Sequence, residues 1–130
     1  MTTELYYLAY TALLTAALWI VYIVAQVQAN GFLTPQNYTD PAPRPVPNWG
    51  KRASRAHLNA VESFAPFAAL VLIVHVTNQE NATTAFLCMA FFWLRLIHAA
   101  VYLAAIPYIR TAVFTLGFVC VAGLFWQAIT

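Results

Sequence analysis

Four stretches of this chain are each long and apolar enough to cross a lipid bilayer, which removes most of the folds open to 130 residues. A helix needs about 20 predominantly apolar residues to span the hydrocarbon core. Runs of that kind occur at about residues 5–27, 56–76, 83–104 and 109–129. Six basic and four acidic side chains, 8% of the residues, cannot make a water-facing surface for a chain that is 62% hydrophobic; a soluble domain carries roughly 25% charged residues. The bilayer must supply most of the solvent.

The connections set the topology. Residues 29–54, a loop expected on the cytoplasmic side, hold five of the seven prolines within NGFLTPQNYTDPAPRPVPNWGKR. The second connection is the tight polar turn NQEN, and the third is broken by Pro107, which has no amide to donate. Two short connections make neighbouring runs antiparallel, so the expected architecture is one all-α integral membrane domain, residues 1–130, built as an up-down four-helix bundle. Arg44, Lys51, Arg52 and Arg55 flank the first loop and Arg110 the third, whereas the other loop and both ends lack Lys and Arg. The positive-inside rule then puts both termini on the non-cytoplasmic side, at the inner membrane if the source is bacterial. MTTE lacks the basic start of a cleavable signal, so the first run is expected to remain as a helix. Cys88 and Cys120 fall inside spans and have no metal-ligand spacing, and a net charge of +2 from so few groups leaves no nucleic-acid footprint.

Polar residues inside the spans carry the chemistry. A charge at mid-bilayer costs about 2.5–3.5 kcal/mol on insertion scales, so such groups face partners or water rather than lipid. Arg55, Asn59 and Glu62 are spaced by four and three residues and share one face of the second span. Arg95, His98 and Tyr102 repeat that period on the third. Two readings are open: the groups satisfy one another, with Glu62 paired to Arg95, or they line a cavity. Three arginines (Arg55, Arg95, Arg110) against one glutamate favour the cavity and an anionic guest, because a guanidinium holds carboxylates in a bidentate fork. Pro66 is expected to kink the second span, His75 to be structural, and Trp19, Trp93 and Trp126 to face lipid or packing.

RASRAHLNAVESFAPF, at the mouth of the second span, resembles the signature of the membrane-associated proteins in eicosanoid and glutathione metabolism (the MAPEG family, in its short bacterial form). RLIHAAVYL and PYIRTAVFTLG resemble that family's later spans. The resemblance implies a homotrimer that binds glutathione between subunits near the cytoplasmic end. Arg55, Asn59, Glu62, Arg95 and Tyr102 match the glutathione-holding positions, with His98 adjacent, and Arg110 matches the residue associated with stabilising the thiolate. The implied activity is glutathione transfer or peroxidation on lipophilic electrophiles or hydroperoxides. The family also contains non-enzymatic members, so a lipid-binding protein or a subunit of a larger membrane complex is the competing expectation. Three positions depart from the pattern: AQVQANGF has no base at the end of the first span, Ser63 stands where some members have Tyr, and Phe114 replaces an aromatic hydroxyl.

Overall fold

The computed structural model describes residues 1–130 and contains five helices and no strand: α1 (Thr3–Asn30), α2 (Pro35–Thr39), α3 (Asn48–Val76), α4 (Ala82–Leu103) and α5 (Ile109–Ile129). All but α2 are long and apolar enough to span a membrane. Thr2 caps α1 by accepting from the Leu5 N–H, and Asn81 and Thr84 form a reciprocal capping box at the start of α4.

α3 begins eight residues before the hydropathic boundary expected at 56, because NWGKRAS is polar yet helical. Prolines at 41, 43, 45 and 47 hold the preceding chain extended, since a residue before proline is kept out of the helical region. Asn48 is therefore the first place where a helix can start. Gly50 lies inside this extension: a Cβ there would come within 2.7 Å of the Ala25 Cβ, so the glycine lets α1 and α3 cross closely. The long loop shrinks accordingly and contains the short α2.

α3 and α4 are the central pair, each touching both α1 and α5, while α1 and α5 lie on opposite flanks. The main core fills the space between α3, α4 and α5, with Phe67 and Phe91 stacked at 4.0 Å beside Val71, Cys88, Cys120 and Leu124. A smaller cluster of Leu18, Ala60 and Ala99 joins α1 to the pair. Trp19, Trp93 and Trp126 are 46%, 51% and 62% exposed, consistent with a lipid-facing exterior. The chain is an all-helical integral membrane protein. The antiparallel layout gathers Arg44, Lys51, Arg52, Arg55 and Arg110 at one end, where Arg52 Nε donates to the Leu103 carbonyl (3.2 Å) and ties the start of α3 to the end of α4.

The opposite end is held by polar contacts. Glu4 is buried and accepts from the Thr84 hydroxyl, Thr2 donates to Glu80 (2.7 Å), and Asn81 donates to Gln127 (2.9 Å). His75 Nδ1 lies 2.8 Å from the Glu80 carboxylate, so His75 is a structural partner. The hydrogen bond from Thr2, followed by that to His75, holds the Glu80 carboxyl below its ordinary pKa.

Candidate functional site

Arg95 is the centre of the site. It lies eight residues, about 12 Å along the axis, from the end of α4, within hydrocarbon depth. Only 4% of it is exposed. Nη1 donates to Asn59 Oδ1 (3.4 Å) and Ser63 Oγ (3.1 Å) on α3, while Nε has no partner. Ser63 in turn donates to the Asn59 carbonyl, which leaves its oxygen free to accept from the guanidinium. The guanidinium carbon lies 5.6 and 5.4 Å from the ring centres of Phe91 and Phe114, within cation–π range.

No carboxylate lies within ion-pair distance of Arg95. The Glu62–Arg95 pair, the alternative left open by the residue spacing, does not form within the protomer. Glu62 is exposed, at the lining of a cavity of about 290 Å³ between α3, α4 and α5. Asn59, Ser63 and Arg95 supply the other polar lining, and Pro66, Phe91, Phe114 and Phe118 supply apolar walls. Pro66 lies inside α3 and leaves the Glu62 carbonyl without its helical N–H at the cavity wall.

Within the protomer, Arg95 is the one arginine that lines the cavity. Arg55 is exposed at the rim of the bundle, one turn toward the connector from Asn59. Arg110 is exposed and lies over the Tyr102 ring at 4.6 Å. His98 is buried, with its ring packed against Tyr102 and Phe114 rather than lining the cavity. Of the α4 residues Arg95, His98 and Tyr102, Arg95 alone points into the cleft between α3 and α5. His98 and Tyr102, three and seven residues further on, lie beyond it.

Two contacts that matter here escaped the sequence reading. Ser63 was noted only as a departure from the family pattern; because it lies four residues after Asn59, its bond to Arg95 could have been found by extending the stripe. Gly117 could not: a Cβ there would stand 3.0 Å from Arg95 Nη2, so its role is to leave room for a side chain on another helix.

The sequence model of the MAPEG family matches residues 5–130, nearly the whole chain. No curated protein matches it at a significant level.

Proposed function

The chain belongs to the MAPEG family, and on that premise we propose that it is a membrane-embedded glutathione-dependent transferase or peroxidase acting on lipophilic electrophiles or hydroperoxides. The family includes glutathione transferases and peroxidases together with non-enzymatic members. The observation that carries the reading is the buried Arg95 guanidinium, without a carboxylate partner, at the end of a cavity lined by Asn59, Ser63 and Glu62.

In this reading Arg95 and Arg55 hold carboxylates of the tripeptide, Asn59 hydrogen-bonds its backbone, Glu62 receives its ammonium group, and Tyr102 and His98 shape the adjoining wall. Arg110 stabilises the thiolate, since a nearby cation lowers a thiol pKa from about 8.5 toward neutrality. The thiolate sulfur then bonds to an electrophilic carbon of an acceptor reached from the bilayer as that carbon's leaving group departs with the electron pair. With a hydroperoxide it takes the terminal oxygen as the O–O bond breaks and the alcohol leaves, and a second glutathione converts the sulfenic acid to disulfide and water. Arg55 and Arg110 lie outside the single-protomer cavity, so the complete site is one assembled between subunits of a homotrimer, with both termini on the non-cytoplasmic side.

The test is thermal unfolding of the detergent-solubilised protein in millimolar glutathione. A ligand present at a hundred times its Kd stabilises the native state by about 2.7 kcal/mol, so the midpoint rises; an unchanged midpoint removes the proposal. For the catalytic role, Arg110→Ala is expected to abolish the ultraviolet thiolate absorbance of bound glutathione while leaving binding measurable.

A second reading, a non-enzymatic member that binds a lipid-like ligand or joins a larger complex, is favoured by two observations. Arg110 is stacked on Tyr102, and Gln26, near the position of the absent base on the first span, is engaged by Asn30 (3.4 Å). A partner co-purifying at fixed stoichiometry, without glutathione-dependent turnover of a model electrophile, would select it.

A further inference from the structure

A second cavity, of about 360 Å³, lies where α1 passes into the proline-rich connector. Its apolar lining comes from Tyr22, Ile23 and Val27 on the last turns of α1, and its polar lining includes Asn37, Asp40 and Arg44 of the connector. α1 has 28 residues and is about 42 Å long, longer than the roughly 30 Å hydrocarbon core, so its last turns reach the headgroup layer. The apolar part of the cavity therefore faces the membrane interior and the charged part faces water. Two hydrogen bonds frame it: Asn30 Nδ2 donates to the Pro45 carbonyl (3.0 Å), and Arg44 Nη2 to the Asn37 carbonyl (3.3 Å).

Asp40 and Arg44 bring opposite charges to this lining and form no ion pair with each other. The Asp40 carboxylate accepts only the Ala42 N–H (2.9 Å), and the Arg44 fork makes the single bond to Asn37. Each keeps most of its hydrogen-bonding capacity. A purely anionic guest would face the Asp40 carboxylate, and a purely cationic one the Arg44 guanidinium; a zwitterion meets both.

We propose that this cavity binds a phospholipid with a zwitterionic, primary-amine headgroup. The phosphate lies on Arg44, whose planar fork suits it; the ammonium donates to Asp40; and the glycerol and first acyl carbons lie against Tyr22, Ile23 and Val27. A bilayer lipid, rather than a soluble phosphorylated amine, fits the apolar lining. It also fits the connector's exposed Phe32 (82%), Leu33 (62%) and Tyr38 (80%), side chains suited to the interfacial layer of the same leaflet. Within the protomer the site shares no lining residue with the α3–α4–α5 cavity.

The experiment uses the full chain in detergent, with thermal unfolding and native mass spectrometry after adding phosphatidylethanolamine, phosphatidylcholine or phosphatidylglycerol of identical acyl chains, or free O-phosphoethanolamine. Phosphatidylethanolamine is expected to raise the midpoint and to remain bound. Phosphatidylcholine, whose ammonium has no N–H, and phosphatidylglycerol, which has no cation, are each expected to bind about tenfold more weakly. Arg44→Gln should weaken phosphatidylethanolamine by a similar factor. Asp40→Asn, which keeps the acceptor for the Ala42 N–H, should erase the preference over phosphatidylcholine. Equal binding of the three lipids, or unchanged lipid ranking in both variants, overturns the proposal. So does an equal midpoint shift with free O-phosphoethanolamine, which would make the ligand a soluble zwitterion. The wild-type ranking is a test in itself, and the lipid-free midpoints of the variants report their folding.

Discussion

Arg95 combines two roles that substitution can separate. An unpaired guanidinium inside a membrane protein is expensive to hold, and replacing a buried charge by an apolar side chain of similar size is often neutral or stabilising. Arg95→Met is therefore expected to leave the lipid-solubilised midpoint unchanged or raised while removing the glutathione-dependent shift; a large loss of stability with an intact shift would make Arg95 a structural residue instead. Gly117 bears on the same group from α5. Gly117→Ala would place a Cβ 3.0 Å from Nη2, so the guanidinium must shift by a few tenths of an ångström relative to Asn59 and Ser63. It is expected to lower the unfolding midpoint and weaken glutathione, and Gly117→Ala combined with Arg95→Met should recover most of the stability. The asymmetry in legibility is physical: a charge in an apolar run announces itself in one dimension, whereas a glycine needed for a neighbouring helix does not.

At the scale of elements, the two ends of the bundle are closed differently. At the connector end, Arg52 covers the Leu103 carbonyl and Gly50 lets α1 approach α3. Gly50→Leu should separate these helices and lower stability, with Gly50→Ala milder, both read by thermal unfolding. At the other end Glu80 is gripped by Thr2 and His75. Its folded-state pKa is depressed, so its contribution is present at neutral pH and is lost as the pH falls below the ordinary value of 4.5 through the folded value. The midpoint of the wild type should decline in that window, and Glu80→Gln should flatten the decline; identical pH profiles would count against the Thr2–Glu80–His75 latch. Glu4 had no structural role in the sequence reading because its partner Thr84 lies 80 residues away, and the Thr2 bond to Glu80 spans 78 residues, whereas the His75 bond to Glu80 spans only five. The start of α3 was misplaced for another reason: hydropathy reports where lipid begins, while helicity reports where proline ends.

For the whole molecule, the glutathione reading requires a site completed by neighbouring protomers, since Arg55 and Arg110 stand outside the cavity that holds Arg95. Cross-linking in native membranes should yield a trimer, and mixing Arg110→Ala with Arg95→Met protomers should restore turnover if the two residues act across an interface; no recovery in mixed assemblies would place the chemistry within one subunit. By itself the sequence determined the solvent, the number of spans, their alternating direction and the spacing of the polar residues singled out within them. Those follow from local quantities: the length of apolar runs, the positions of prolines and a period of 3.6 residues. Only the tertiary structure decided which faces meet. The rotation of α4 against α3 and α5 turned Arg95 into a cavity and left Arg110 over Tyr102, because helix rotation is set by side-chain packing between segments distant in the chain, which no local pattern encodes.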